Sequence, residues 1–263
     1  MRRLVLAVVA LFAIVSGAAL QAAYAGPAPA PAPSTYNWTG MYFGAHVGGG
    51  WAAKDWTLVA TPACCDNGPG AALGSGTGSG LLGGLQAGMN WQQGPVVFGL
   101  QGDVSFAGIN GTAANPASAQ PGNCWSGGDQ TARCGSKTDW LASVTARAGV
   151  LVMPDTLLYV KGGFAFAHDV FSVTDLVANQ GGCYGNPGPD YAAVGQGRTG
   201  GTVGFGGEHA FSNKVTMFAE YDYSNFGTQN VDFPDTGNGC SPGFTVAIKQ
   251  SVQEVKVGFN VHY

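Results

Sequence analysis

The sequence predicts an all-β protein: an eight-stranded antiparallel transmembrane β-barrel with short periplasmic turns and long extracellular loops. Three observations lead to this prediction: a strict alternation of apolar and polar residues, a regular change between short and long connections, and a shortage of charge. Charged residues make up 10% of the 263-residue chain, whereas ordinary soluble domains contain about 25%. This amount of charge is too small to cover a surface that faces water on all sides.

The last strand, predicted over residues 251–263, shows the alternation most clearly. Successive residues of a strand point to opposite faces, so one row faces lipid and the other faces the barrel interior. The nine residues from 255 onward are about enough for a tilted strand to cross a bilayer. The lipid-facing row, which we also expect to guide assembly, consists of Val255, Val257, Phe259, Val261 and Tyr263.

Seven further segments alternate in the same way. With the last strand, the predicted set covers residues 39–51, 81–91, 96–106, 140–150, 158–166, 202–208, 215–223 and 251–263. Tight turns are predicted at residues 92–95, 153–156 and 210–214, and long loops at 52–79, 107–139, 168–197 and 224–245. A barrel in an outer membrane has this rhythm of short periplasmic turns and long surface loops. An even number of strands also leaves both termini in the periplasm.

Two all-β arrangements are compatible with the alternation. A soluble barrel turns its apolar face inward, whereas a membrane barrel turns it toward lipid. The less apolar face favours the membrane barrel, because it carries many glycines and few charges, and buried charges are tolerated only in pairs. We therefore predict an ion-pair network in the lumen, formed by Asp103, Arg147, Lys161, Glu208, Glu220, Asp222, Glu254 and Lys256.

Large aromatic residues lie where the predicted strands leave the membrane. Membrane barrels carry one aromatic girdle at each interface. The loop-side girdle is predicted to contain Trp51, Phe106, Trp140, Tyr221 and Tyr223, and the turn-side girdle Trp91 and Tyr263.

The N-terminal residues resemble an export signal. Arg2 and Arg3 precede an apolar stretch at 4–19, and the small-residue sequence Ala-Tyr-Ala at 23–25 fits a cleavage site. We predict a cleaved signal peptide at 1–25, a Pro/Ala-rich linker at 26–36 and an outer-membrane β-barrel at 37–263.

Six cysteines lie in this exported chain, in which disulfides are expected. They are Cys64, Cys65, Cys124, Cys134, Cys183 and Cys240, and all fall in the predicted long loops. No C-x-x-C spacing is present, so no metal site and no cofactor are predicted. Cys124 and Cys134 share one loop and are close in sequence, so closing a disulfide between them costs little entropy.

Several short motifs resemble those of small alphaproteobacterial outer-membrane β-barrel proteins. They are Asn-Trp-Thr-Gly-Met-Tyr-Phe-Gly at 37–44, Leu-Leu-Tyr-Val-Lys-Gly-Gly at 157–163, Glu-Tyr-Asp-Tyr at 220–223, and the terminal strand. The resemblance implies an eight-stranded barrel of the OmpA-like type, often labelled "porin family", exposed at the cell surface. It also implies that the outer-membrane insertion machinery reads the terminal aromatic strand. The loop cysteines depart from the common pattern.

Enzymatic chemistry finds little support. The Gly-rich run at 74–80 lacks the Lys and Ser/Thr that follow a phosphate-binding loop. His168 and Asp169 form the one candidate pair for a barrel-embedded lipid or peptide hydrolase, but adjacent strand residues point to opposite faces. We therefore predict no enzyme.

The predicted function is a structural role in envelope integrity combined with surface interaction, at the cell outer membrane with both termini periplasmic. The alternative is a small porin-like diffusion pore, although side chains fill the interior of an eight-stranded barrel. The expected partners are outer-membrane lipid (lipopolysaccharide), the insertion machinery, and a host or surface ligand bound through the loops. With a pI near 5.4, nucleic acid is not expected.

Overall fold

The computed structural model of the protein describes residues 36–60, 68–115, 124, 133–174, 191–234 and 243–263. The predicted signal peptide and all of the linker except Tyr36 lie outside these residues, so cleavage after Ala25 stays a prediction. Cys64, Cys65, Cys183 and Cys240 also lie outside them. No helix in the described part is long and apolar enough to cross a membrane.

Eight antiparallel strands form a closed barrel, as predicted. They are β1 (Gly40–Ala60), β2 (Ala72–Gln93), β3 (Val96–Ala113), β4 (Arg133–Met153), β5 (Thr156–Thr174), β6 (Tyr191–Ala210), β7 (Val215–Phe233) and β8 (Phe244–His262). Each strand pairs with the next, and β1 pairs with β8. The closing ladder begins where Tyr42 lies opposite His262. The three tight turns fall where the sequence placed them, and Gly94, in the first of them, has a φ of +59° that favours glycine.

The strands are longer than predicted, so the predicted bounds of the long loops are wrong: residues at both ends of each loop belong to strands. β2 contains 22 residues, and β1 continues for nine residues beyond Trp51. The Gly-rich run at 74–80 belongs to β2 and not to a loop. A Cβ atom at Gly76 would lie 2.0 Å from the carbonyl oxygen of Thr112. Glycine is therefore needed here because two backbones approach closely. The Gly-rich composition of the run, which is typical of a loop, misled the prediction.

The two faces of the strands lie as predicted in the half of the barrel near the tight turns. Outward side chains there are large and apolar, and Leu81 and Phe164 are 82% and 67% exposed on the outer surface. Inward side chains are small or polar and buried, as Asn90 and Gln101 show. This arrangement suits a wall that faces lipid.

The apolar face changes sides along the strands. In β1 the outward apolar row ends at Trp51, and the inward row becomes apolar at Ala52, Trp56 and Leu58, which are all buried. In β8 the inward residues Val246, Ile248 and Val252 are likewise buried. On the outer surface at this height, Asp55 lies opposite Lys249. The far half of the barrel is therefore built like a soluble one.

Aromatic residues lie at the level where the apolar row moves from the outer to the inner face. Trp51 and Tyr223 flank Gln253 from the two neighbouring strands, and Trp91 and Tyr263 lie exposed near the turns. With a rise of about 3.3 Å per residue and a tilt of about 40°, the nine-residue stretch 255–263 that carries the apolar row spans roughly 23 Å. This height matches the apolar band of about 25 Å in outer-membrane barrels. The loop-side girdle thus lies midway along the strands and not at their ends.

Candidate functional site: the barrel lumen

The residues before β1 close the turn-side mouth of the barrel. Trp38 is fully buried, and Tyr36 packs edge-on against it with ring centroids 4.8 Å apart. The backbone N–H of Trp38 donates to Oε1 of Gln92 at 3.0 Å, and His262 of the closing strand contacts Tyr36 at a centroid distance of 5.6 Å. Burial, followed by the charge of Glu208, raises the pKa of the Tyr36 phenol, so this ring stays neutral in its apolar setting.

Arg147 occupies the next level of the lumen. Its Nη1 lies 3.0 Å from Oε2 of Glu208, and its Nε donates to Oδ1 of Asn90 at 3.0 Å. The guanidinium lies between the rings of Tyr42 and Tyr159, at 4.7 and 5.0 Å from their centroids. Cation–π contacts of this kind are stronger when they are desolvated.

Glu208 is held by neutral donors as well as by Arg147. The hydroxyl of Thr216 donates to its Oε1 at 2.5 Å, and the amide of Asn260 does so at 2.7 Å. The carboxylate is fully buried. Several hydrogen bonds to one charge offset the cost of removing that charge from water.

Two lysines organise the following level. Lys161 Nζ lies 2.8 Å from Glu220 and 3.1 Å from Asp222. Lys256 Nζ lies 2.8 Å from Asp222 and 3.1 Å from Glu220. It also lies 3.4 Å from Asp103 and 3.8 Å from a Glu254 oxygen. All the residues predicted for the lumen network therefore lie inside the barrel and form ion pairs. They fall into an Arg147 cluster and a Lys256 cluster.

Inward glycines make room for these side chains. A Cβ atom at Gly88 would lie 2.3 Å from the ring of Tyr42, and one at Gly206 would lie 2.7 Å from the ring of Tyr159. The two rings that enclose Arg147 thus occupy the space above two glycines. This is the physical reason for the many glycines on the inner face.

A third charged cluster, which the sequence did not predict, lies beyond the girdle. Lys54 Nζ contacts Asp169 at 2.7 Å, and the Thr138 hydroxyl donates to the same carboxylate at 2.5 Å. Arg198 donates from Nη1 to the carbonyl oxygen of Ile248 at 2.8 Å. This cluster was missed in the sequence analysis because β1 was predicted to end at Trp51, which left Lys54 in a predicted loop.

An apolar cap fills the lumen beyond this cluster. Its large buried members are Trp56, Leu58, Leu73, Phe171, Val231, Phe233, Val246 and Ile248. The predicted disulfide between Cys124 and Cys134 is present and belongs to the cap. Cys134 lies in β4, opposite Val173 of β5. Its prediction as a loop residue is therefore wrong, because the strand begins before it, and the disulfide ties Cys124 directly to the barrel wall.

The candidate catalytic pair predicted from the sequence is not brought together by the fold. Asp169 points inward, whereas His168 lies outside, where it stacks on Trp140 and contacts Asp139 at 3.5 Å. A second pair escaped the sequence reasoning: Nε2 of His46 lies 2.8 Å from Oγ of Ser105. Both residues are buried in the lumen, and Nδ1 of His46 has no hydrogen-bond partner among the described residues. Among the described residues, no three His, Cys, Asp or Glu side chains are grouped so that they could hold a metal ion.

Comparisons with known proteins agree with this architecture. The chain is 28% identical, over an alignment of 272 positions, to the 31 kDa outer-membrane immunogenic proteins of Brucella melitensis and Brucella suis, with 100% of this chain and of each relative covered. The crystal structure of OprG from Pseudomonas aeruginosa is similar, with a TM-score of 0.51 at 10% sequence identity, over 87% of this chain and 99% of that one. A family model described as the outer membrane protein beta-barrel domain matches residues 9–259. The chain therefore belongs to the outer membrane protein beta-barrel family and is an integral protein of the outer membrane.

Proposed function

We propose that this protein is a non-enzymatic structural component of the outer membrane that contributes to envelope integrity and contacts partners through its extracellular half. The observation that carries this proposal is the filled lumen. The mouth near the turns is closed by Trp38, and the Arg147 and Lys256 clusters follow in turn. The Lys54 cluster and the apolar cap then complete the filling.

A diffusion path would have to displace buried charges. Lys256 joins acids from β3, β7 and β8, so its movement would leave several carboxylates without a partner. Breaking one buried ion pair costs about 3–5 kcal/mol. The apolar cap would also need to open, and its members contact one another and not water. These costs support a closed barrel.

A small pore is the second candidate, and the charge balance of the lumen determines which ions it would pass. The Arg147 and Lys256 clusters contain more acids than bases. The acids are Asp103, Glu208, Glu220, Asp222 and Glu254, and the bases are Arg147, Lys161 and Lys256. A path opened through this level would therefore favour cations.

Conductance in planar lipid bilayers distinguishes the two candidates. For the purified barrel we expect no steady conductance, because the buried charged clusters and the apolar cap occupy the described lumen. A large, steady and cation-selective conductance would overturn the structural proposal and support the pore. A strain that lacks the protein should also become more sensitive to detergents, and normal resistance would contradict a role in envelope integrity.

The proposed orientation places both termini in the periplasm. Tyr36 and Tyr263 lie at the end of the barrel that carries the tight turns, where the Tyr263 N–H donates to the carbonyl oxygen of Met41 at 2.9 Å. Short turns face the periplasm in barrels of this class. Lipopolysaccharide around the outer wall, and the insertion machinery acting on β8, are the partners this orientation implies. Nucleic acid is not among them.

A further inference from the structure

β6 and β7 pair over only half of their length. Their ladder runs from Ala210 opposite Thr216 to Gly201 opposite Asn225, which is ten residue pairs. In contrast, β5 and β6 form nineteen pairs, and β7 and β8 form eighteen. Both strands continue beyond the ladder, β6 over 191–200 and β7 over 226–233, and each is paired there only on its other side. We call this gap in the extracellular wall the β6–β7 seam.

A bulge opens the seam. The register of β7 against β8 shifts between Asn225 and Gly227, and Gly227 has a φ of +64°. Bulges bend a strand and increase its twist, so β7 leaves β6 at this point. The two backbones still touch at the last rung, since a Cβ atom at Gly200 would lie 2.2 Å from the carbonyl oxygen of Asn225.

The seam is narrow. If the ladder continued in register, Gln196 would lie opposite Asn230. Instead, the Gln196 side chain reaches across, and its Nε2 donates to the carbonyl oxygen of Asn230 at 3.3 Å. The gap is therefore about one glutamine side chain wide. The same Nε2 also lies 3.5 Å from Oε1 of Gln229. Displacing these two weak hydrogen bonds would expose two facing rows of backbone N–H and C=O groups.

Among the described residues, the β6 side of the seam lacks the devices that usually protect a free edge. Natural edge strands carry charged outward side chains, prolines or covering loops. The outward residues of this edge are Ala193, Gly195, Gly197 and Thr199, which are small and uncharged. A Cβ atom at Gly197 would meet nothing within 4 Å. Arg198, the one charge in this segment, points into the lumen.

We propose that the β6 edge of the seam binds an extended polypeptide segment of a protein outside the cell, which adds to the barrel wall as a further strand. A row of main-chain donors and acceptors at strand spacing is complementary to another strand. The ten edge residues of β6 offer about 33 Å of such a row. This proposal rests on the proposed surface-contact role and names one class of partner for it.

The structure also specifies the sequence of that segment. Its inner face would meet Val194, Phe226 and the apolar cap, whereas its outer face would meet water. The segment must therefore alternate apolar and polar residues over about eight or nine positions. It cannot contain a central proline, because proline removes a ladder donor.

A peptide probe tests the proposal directly. The probe is a fluorescent copy of residues 225–233, because an in-register continuation of the β6–β7 ladder would place this segment opposite residues 193–201 of β6. Fluorescence anisotropy with the detergent-solubilised barrel should show saturable binding. The same peptide with proline at its centre should bind at least tenfold more weakly. Equal binding of the two peptides would overturn the proposal, since binding would then not depend on a ladder.

A lockable variant shows where the peptide binds. In Gln196→Cys/Gln229→Cys, whose parent side chains lie 3.5 Å apart across the seam, oxidation should close the seam, and peptide mapping confirms the new disulfide. We expect at least tenfold weaker peptide binding when the variant is oxidised than when it is reduced. The parent protein under both conditions is the control, because its Cys124–Cys134 disulfide also responds to reductant. Undiminished binding to the locked seam would overturn the proposal.

The lockable variant also separates this inference from the proposed function. A parent protein that forms dimers in detergent, which disappear on locking, would identify a second copy of the chain as the occupant and overturn the assignment to a foreign peptide. The bilayer conductance depends on the lumen alone. Failure of peptide binding with an unchanged, closed lumen would therefore reject the seam proposal but retain the structural barrel.

Discussion

Removal of the Arg147 side chain should destabilise the barrel strongly. In Arg147→Ala the fully buried Glu208 loses its cation, and the rings of Tyr42 and Tyr159 lose the guanidinium between them. Truncating one partner of a buried ion pair costs about 3–5 kcal/mol. The Thr216 hydroxyl still donates to Glu208, so we expect a loss near the lower end, about 3 kcal/mol, with only a slight rise in conductance.

Urea unfolding in lipid vesicles, followed by tryptophan fluorescence, measures this loss. The matched control is Lys137→Ala, because Lys137 pairs with Asp139 on the outer surface and its side chain is 55% exposed. Exposed pairs contribute about 0–1 kcal/mol. The double variant Arg147→Ala/Glu208→Gln should recover part of the loss, since no uncompensated charge remains. If Arg147→Ala costs no more than Lys137→Ala, the lumen network does not stabilise the barrel and the reasoning fails.

Three further predictions follow from the two faces and from closure. Phe259→Arg should reduce the amount of folded protein in outer-membrane fractions, since a cation near the bilayer midplane costs about 2–4 kcal/mol. Glu254→Gln, on the inward face, should insert nearly normally. The reverse result would show that the two faces are assigned backwards. Gly88→Leu should lower the free energy of unfolding in urea by about 1–3 kcal/mol through overpacking. Lipid-facing Gly102→Leu should leave that free energy unchanged, because a Cβ atom at Gly102 meets only a carbonyl oxygen at 3.8 Å. Equal effects of the two substitutions would contradict the packed lumen. Unheated protein should migrate faster than boiled protein on a denaturing gel, because all backbone hydrogen bonds of the membrane-embedded part close on themselves, and identical mobility would argue against a closed barrel.

The membrane half of the fold follows from a local pattern, which explains why it could be predicted. Period-two alternation separates the faces of a strand without knowledge of its partners. This alternation placed Phe259 on lipid and Arg147 and Lys256 inside. Their ion pairing could be anticipated as well, because an isolated buried charge is too costly to persist.

The half of the barrel beyond Trp51 could not be read in this way, because its surroundings differ. Beyond Trp51 the outer wall meets water, so the apolar row moves to the inner face at Trp56 and Leu58. A rule that keeps one apolar face along a strand reads this inversion as the end of the strand. Lys54 therefore fell in a predicted loop, and its cluster could not be predicted. The β6–β7 seam could not be predicted either, because it depends on a bulge at Gly227 that only the pairing register shows.

One measurement tests the central claim, a membrane barrel with a filled lumen, most directly. A genetically encoded spin-labelled amino acid is introduced singly along β8, and its accessibility to oxygen and to a water-soluble nickel complex is measured in lipid bilayers. Outward positions from Val255 to Val261 should be reached by oxygen, and outward positions such as Lys249 by the nickel complex. Inward positions such as Glu254 and Lys256 should be reached by neither reagent. Access of the nickel complex to the inward positions would show a water-filled lumen and contradict the account.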